Sequence, residues 1–365
     1  MNSYIIDKEA LDHNIRMIQK RAGETIVWGV VKGDGYGLGC VTLAHILSQH
    51  NINYFAVTRV EEAERLRLSG LDTAEILMMD CTCDRTEIQR LLNQRVVLTV
   101  GTREDAQQIN ACAHERGIKA DVHVKIDTGM GRYGFLPSQM EDILEVYNHY
   151  PNLNVTGIYT HFNDSSIPGP TEKQFRLFQN LLEKLRQQDV EVGMVHCCNS
   201  SAFWKYPHMH CDAVRIGSGI LGRLTIPEET GLVKLGYCTS RICEIRTLPA
   251  GHTVGYGAGF VTKRPTRIAV IGVGYINGFA VDRGYDLWRP IDCARGVLRY
   301  IKAFLKKKAL YVQVNGKNCR VLGHVGMVNM VIDVTDCPCK VGDPVRVEIN
   351  PLVLKNMDVV FTSHP

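Results

Sequence analysis

The chain has 365 residues, 45% of them hydrophobic, and a formal net charge of +4, enough to bury a large core and to divide into two domains. The nearest thing to a basic cluster, Lys306-Lys307-Lys308, is short and lacks interleaved aromatics, so it reads as a solvated helix face and no nucleic-acid partner is expected. No run approaches the ~18 apolar residues of a membrane span, the first residues show no signal-peptide pattern, and the thirteen cysteines are scattered without zinc spacing, so the reading is a cytoplasmic chain with reduced thiols, no metal and no membrane partner.

A helix is expected near residues 7–21, with Asp7 as a plausible N-cap. Eight short apolar, β-branched runs then alternate with amphipathic stretches: 26–31, 54–58, 75–79, 96–100, 121–127, 155–162, 194–199 and 213–217. Near-continuous apolar strands separated by helical patterns, such as Glu61 to Leu68 closed by Gly70, are what a parallel sheet covered by helices requires. Eight such units predict an α/β fold built as a (β/α)₈ TIM-type barrel. After residue 225 the rhythm becomes short strands between turn signals: Ser240–Leu248, His252–Phe260, Arg267–Tyr275, Leu310–Val314, Cys319–Leu322, Val328–Val334 and Pro344–Ile349. Asn315-Gly316 is a two-residue hairpin signal. The expected organisation is therefore a barrel domain over 1–224 followed by a mostly β domain over 225–365.

In a parallel barrel, chemistry gathers at the C-terminal ends of the strands, with phosphate often held after strands seven and eight. Lys32 ends the first strand and enters the loop Gly33-Asp34-Gly35-Tyr36-Gly37. A lysine held there and partly desolvated has a lowered amine pKa and can condense with an aldehyde. Strand five runs through Lys125 and Asp127 into a glycine-rich loop ending at Arg132; strand six ends at Thr160-His161; strand seven ends at Asn199-Ser200. Strand eight holds Arg215, followed by Gly217-Ser218-Gly219, whose backbone N–H groups could cradle an anion. Each element alone has a structural alternative: Lys32 could snorkel to solvent, Arg132 could pair with Asp127, His161 could cap a loop, and Ser200 could be a turn hydroxyl. Together at the strand ends of one barrel they match what pyridoxal 5'-phosphate needs, a lysine to carry its aldehyde and a nest for its phosphate.

The motifs Val-Val-Lys-Gly-Asp-Gly-Tyr-Gly (30–37), Val-Lys-Ile-Asp-Thr-Gly-Met-Gly-Arg (124–132), Gly-Ile-Tyr-Thr-His-Phe (157–162), Val-His-Cys-Cys-Asn-Ser (195–200), Val-Arg-Ile-Gly (214–217), Gly-Tyr-Gly-Ala-Gly-Phe (255–260) and Ile-Gly-Val-Gly-Tyr-Ile-Asn-Gly (271–278) resemble the alanine racemase family of fold-type III pyridoxal-phosphate enzymes, from about residue 3 to about 350. The resemblance implies that Lys32 carries the cofactor, that Tyr36, Ser200, Gly217 and Ser218 hold its phosphate, and that Arg215 faces the pyridine nitrogen, with His161 and Asn199 beside it. A guanidinium does not give up its proton, so the ring nitrogen stays unprotonated and the cofactor is a weaker electron sink, suited to reversible Cα proton exchange. The two bases would be Lys32 and Tyr256 of the partner subunit, making the enzyme an obligate homodimer with shared sites, and a tyrosine (ordinary pKa about 10) serves as base only where cations favour its anion. Arg132, Met327 and Tyr275 would receive an amino-acid substrate. Lys125 matches a position carbamylated in some members.

The chain departs from the family pattern at His324, where an arginine is usual, and at Val328, where an aspartate is usual. It also stops before a stretch that normally supplies a further tyrosine, and its segment 280–308, with Tyr285, Trp288 and Tyr300, is longer than the usual connection. Both proposed bases are kept while the entrance changes, so the expectation is a racemase acting on alanine, serine or a broader set. The alternatives are a decarboxylase or aldolase on the same scaffold, or a non-catalytic carrier of the cofactor.

Overall fold

The computed structural model describes residues 2–224, 226–281, 290–305 and 309–363. Tyr285, Trp288 and Lys306–Lys308 lie outside the described residues. The chain separates into two compact units, Glu9–Lys234 and a second that joins Met1–Lys8 to Leu235–Pro365.

The chain's first strand, β1 (Ser3–Asp7), is followed by a helix over Lys8–Ala22. Eight parallel strands then form the first unit: β2 (Ile26–Val30), β3 (Tyr54–Val57), β4 (Glu75–Met78), β5 (Leu98–Val100), β6 (Ala120–Ile126), β7 (Leu153–Thr160), β8 (Met194–His196) and β9 (Ala213–Ile216). Their order is β4-β3-β2-β9-β8-β7-β6-β5. The remaining seam is joined by Met78 N–H donating to Val97 O (2.9 Å) and Val97 N–H donating to Ile76 O (2.8 Å). The barrel predicted from the sequence is thus present, with six strands inside the runs that announced them and β6 and β7 beginning one and two residues earlier.

Local sequence sets the helices between strands. Thr102 Oγ1 accepts from Asp105 N–H, and Asp105 Oδ2 accepts from Thr102 N–H, a reciprocal cap that starts Arg103–Glu115. Asp84 caps Arg85–Asn93 through Glu87 N–H. Trp28, Val30, Ala56, Leu77 and Ala213, buried residues of β2, β3, β4 and β9, pack with Met79 just after β4 and Val97 just before β5 into one apolar cluster, and Trp28 Nε1–H is satisfied at 3.3 Å by Met194 Sδ.

The second unit is built on β10 (Tyr237–Leu248), β11 (Thr253–Val254), β12 (Phe260–Val261), β13 (Thr266–Ile271), β14 (Tyr311–Val314), β15 (Lys317–Leu322), β16 (Met330–Asp333), β17 (Pro344–Val347) and β18 (Asp358–Thr362). The order β13-β16-β15-β14-β17-β10 closes on itself through β10–β13, while β1 and β18 extend the sheet beyond β10. Strand β10 pairs with both β17 and β13, and the register shift between Ile242 and Glu244 marks the bend that lets it do so. The expected Asn315-Gly316 hairpin joins β14 to β15, with Asn315 at φ 48° and Gly316 at φ 77°.

Four features differ from the sequence reading. Residues 1–8 were placed with the barrel, yet β1 pairs with β10 and β18 and Tyr4 Oη–H donates to Ile349 O at 2.9 Å. The run His252–Phe260 is two short strands around a turn, because Gly255, Gly257 and Ala258 all take positive φ (78°, 62° and 51°), which no strand accommodates. Strand β18 was not expected: its parallel pairing with β1 is a long-range contact with no local signal. The mostly β unit also carries a helix, Pro290–Leu305, inside the segment read as an unusually long connection.

Candidate active site

At the C-terminal end of β2 the backbone turns left-handed for five consecutive residues, Gly33 (φ 61°), Asp34 (52°), Gly35 (64°), Tyr36 (58°) and Gly37 (86°). Asp34 and Tyr36 are the strained pair, since a side chain in this region costs about 1–2 kcal/mol. Side-chain bonds offset that cost. Asp34 Oδ1 accepts from Cys40 N–H at 3.1 Å and from Arg65 Nη1–H at 2.9 Å. The buried Glu62 carboxylate accepts from Asp34 N–H (3.1 Å), Thr58 N–H (3.0 Å) and Arg59 N–H (3.2 Å), tying the loop after β2 to the loop after β3.

The result is a cavity of about 220 Å³ lined by Lys32, Tyr36, Met79, His161, Asn199, Ser200, Arg215, Gly217 and Ser218, among others. Burial lowers the Lys32 amine pKa from its ordinary value, and Arg132 and Arg215 push it the same way against Asp80 and Glu62. Burial raises the Tyr36 hydroxyl to about 12, so it stays protonated and able to donate. A Cβ at Gly217 would overlap the Tyr36 ring and hydroxyl, so a glycine is required where that phenol approaches the backbone. Ser200 Oγ accepts from Gly217 N–H (3.0 Å) and Gly219 N–H (3.2 Å), drawing the turn after β9 onto the end of β8. Asn199 lines the cavity, but its Oδ1 caps the helix Ser200–Lys205 through Ala202 N–H at 3.0 Å.

Arg215 is 2% exposed and its guanidinium is bound on several sides. Nη2–H reaches Thr160 O (2.8 Å), Cys197 O (3.2 Å) and His161 Nδ1 (3.2 Å), and Nη1–H reaches His196 Nδ1 (2.6 Å). Because a guanidinium only donates, both histidines accept through Nδ1 and their neutral rings carry the proton on Nε2. His196 Nε2–H then donates to His123 Nδ1 at 2.9 Å. Burial and the Arg215 charge hold His161 and His196 well below their ordinary pKa and His123 down to about 3, so all three are neutral. The Tyr159 ring stacks on His196 at 4.8 Å and lies under the Arg215 guanidinium at 5.1 Å. The chain His123–His196–Arg215 and the Glu62 clamp were not given roles in the sequence reading. The signal for Glu62 was present, as an acid three residues into a helix that reaches back to the residue before it. The histidine chain had none, since only the barrel brings positions 73 residues apart together.

Beside this cavity β6 delivers Lys125 and the loop to Arg132. Asp127 does not serve Arg132: its carboxylate accepts from Gly129, Met130 and Gly131 N–H at 2.7–2.8 Å and so shapes the loop. Lys125 Nζ lies over the rings of Tyr133 (5.2 Å) and Tyr159 (5.3 Å), and burial lowers its amine to about 8.

The remaining expected residues lie in the β unit and are exposed: Tyr256 79%, Met327 53% and Tyr275 49%. They are held on adjoining turns. Tyr275 N–H donates to Gly326 O and Ile276 N–H to Met327 O, both at 3.1 Å. A Cβ at Gly274 would overlap those two carbonyls, and one at Gly259 would sit 2.8 Å from the His324 ring, so the Tyr256 turn packs on the same segment.

Comparison with known proteins agrees over both units. Residues 6–224 match the family model described as alanine racemase, N-terminal domain, and residues 235–351 the one described as alanine racemase, C-terminal domain. An alanine racemase of Methylacidiphilum infernorum is 32% identical over 343 residues, 93% of this chain and 81% of that protein. One of Desulforamulus reducens is 33% identical over 339 residues, 90% and 84%. The structure of an alanine racemase from Clostridium difficile 630 superposes with a TM-score of 0.83 at 26% identity, covering 99% of this chain and 95% of that one. With both domains matched in order and relatives aligned along nine-tenths of its length, the chain belongs to the alanine racemase family and is a pyridoxal-phosphate-dependent amino-acid racemase.

Proposed function

We propose that this racemase interconverts the enantiomers of a small amino acid, alanine foremost, with Lys32 as base on one face of Cα and Tyr256 of the partner subunit on the other. The observation that carries the reading is the convergence on one cavity of Lys32, Tyr36, Ser200, Arg215 and Gly217 from three separate strand ends.

The cavity fits pyridoxal phosphate by its donors. Lys32 would hold the aldehyde carbon, and Tyr36, Ser200 and the Gly217 and Ser218 backbone would hold the phosphate. Arg215 Nη1 and Nη2 are engaged by the barrel, which leaves Nε–H to face an acceptor ring nitrogen. When bound, the cofactor makes the substrate Cα–H acidic by taking up the electron pair of the broken bond.

The protein's own part is to bind the carboxylate, keep the site dry and move one proton. Arg132, exposed at the end of its loop, would offer the substrate carboxylate a cation. Lys32 Nζ is displaced toward its neutral form by burial and by neighbouring cations, so it can take the Cα proton at modest pH. Neutral His161, fixed through Nδ1 by Arg215, would present Nε2–H to the oxygen of Tyr256 of the partner subunit. An amine near pKa 8 at Lys125 has a substantial neutral fraction, the form that adds carbon dioxide, so carbamylation there is expected.

Val328 removes a carboxylate from the entrance, so alanine is expected with serine accepted more readily than an acidic rim would allow. The test is Cα–H exchange in D₂O across a panel of L-amino acids, followed by chiral analysis. Deuterated D-product from alanine supports the reading. Exchange without inversion, or decarboxylation of the substrate, would defeat it.

A further inference from the structure

The helix Pro290–Leu305 plays no part in the proposed site, and its described side chains are exposed apart from positions 296 and 303. At 100° per residue, Ile291, Val297, Leu298, Ile301, Phe304 and Leu305 fall on one half of its circumference. These side chains face solvent: Phe304 is 83% exposed, Leu305 71% and Val297 59%. The half-buried positions are Gly296 and Ala303, which lie on the opposite side. The helix therefore turns its small residues inward and its apolar half away from its own chain. That is the reverse of a helix packed on a core.

Charge narrows what can cover such a face. Arg295 and Lys302 stand one turn after Ile291 and Leu298, on the border of the apolar half, and Arg299 follows on the polar half. The helix holds three basic residues against one acidic one, and the sequence continues into three lysines. Two copies docked helix to helix across a two-fold axis would bring two such basic borders together, a like-charge contact. Phosphate-bearing headgroups over an acyl layer complement both halves at once: apolar side chains enter the acyl boundary while Arg295 and Lys302 reach up to the headgroups.

We propose that Pro290–Leu305 is a surface anchor that lies in the headgroup region of an anionic lipid bilayer and holds the enzyme there reversibly. No helix among the described residues is long and apolar enough to cross a membrane. A helix of about 24 Å lying flat needs no such length. The sequence-based expectation of no membrane partner rested on span length and signal pattern alone, neither of which registers a helix that lies on the surface.

The test is flotation of the full-length, cofactor-loaded protein with phosphatidylcholine vesicles, with and without roughly a third phosphatidylglycerol. At least a tenfold preference for the anionic vesicles is expected, lost at high salt. Ile301→Asp/Phe304→Asp should abolish flotation while leaving turnover and oligomeric mass unchanged, and Arg295→Glu/Lys302→Glu should weaken it about tenfold. As a direct probe, Phe304→Trp should shift its emission to the blue on anionic vesicles alone. The proposal is overturned if the protein does not float, if Ile301→Asp/Phe304→Asp floats undiminished, or if that variant changes the oligomeric mass instead. The last result would mean that another copy of the chain covers the face.

Discussion

The residues at the barrel mouth and those on the turns of the β unit serve one proposed reaction under opposite physical conditions. Arg215 is enclosed and bound to two carbonyls and two histidines, and the Lys32 loop is held by Glu62 and Asp34. Tyr256, Tyr275 and Met327 are exposed, placed by glycine turns and a few backbone bonds. A buried network fixes protonation states as well as positions, because burial and the Arg215 charge keep His161 and His196 neutral. An exposed aromatic turn has its backbone geometry built in, and in the proposed dimer its environment would come from the partner. The first region should respond to mutation through folding and titration, the second through assembly.

The largest expected effect separates the two directly. Lys32→Ala and Tyr256→Phe should each lower racemase activity by roughly 10²–10⁴-fold, the range for loss of a positioned base. Tyr256→Phe should still wash out the Cα proton of one enantiomer in D₂O. Mixing and refolding the two inactive homodimers should recover about a quarter of wild-type activity, because half the dimers then hold one intact site. No recovery would mean that Lys32 and Tyr256 do not meet across a subunit boundary.

Next in size is the buried guanidinium. Arg215→Gln leaves His196 Nδ1, Thr160 O and Cys197 O short of donors, and unsatisfied buried acceptors put the loss at about 3 kcal/mol. Urea unfolding would register it as a lower midpoint. An unchanged midpoint would show that the network orients Arg215 without stabilising the barrel.

The histidine chain predicts a pH response of definite sign. His123, with a folded pKa of about 3, and His196, also well below 6.5, are both buried. Below pH 6.5 the unfolded chain binds protons that the folded chain does not, so this stability is fully present above 6.5 and is lost as pH falls toward the folded values. With His161, held low in the same way, three histidines correspond to a slope of roughly 4 kcal/mol per pH unit, read as an uptake of about three protons on unfolding near pH 5. His196→Asn should lower that uptake by about a third.

How far each region was legible in the sequence follows from the same contrast. The eight barrel strands declare themselves by continuous apolar runs, because a parallel strand is buried on both faces, and the strand-end rule located Lys32, His161, Ser200 and Arg215. The Tyr256 turn was read as a strand, since the apolar and β-branched residues around it resemble one and positive φ at Ala258 leaves no trace in composition. Strand β18 and the placement of β1 were beyond reach for another reason. Their pairing joins residues 355 positions apart, as in Tyr4 with Val359. Asn199 was assigned to the cofactor from its place in a motif, whereas local hydrogen bonding spends its side-chain oxygen on a helix cap.

The smallest effect tests how tightly the first region is held. Glu62 touches no reacting group in the proposed chemistry; it is a positioning residue whose two oxygens accept three backbone N–H groups, one from the Lys32 loop and two from the loop after β3. Glu62→Gln keeps the shape but sets an amide N–H₂ against at least one of those donors, a loss of about 1–2 kcal/mol confined to the loop. Cofactor affinity should fall by roughly fivefold to thirtyfold, the same energy expressed in binding. A purely structural role would end there. Glu62 also opposes the lowering of the Lys32 pKa, so removing its charge should carry the Lys32 amine further down. The acidic limb of kcat that reports Lys32 deprotonation should therefore move to lower pH in Glu62→Gln and stay in place in Glu62→Asp, which keeps the charge. A limb that moves equally in both variants would assign the shift to loop displacement rather than to the carboxylate's field.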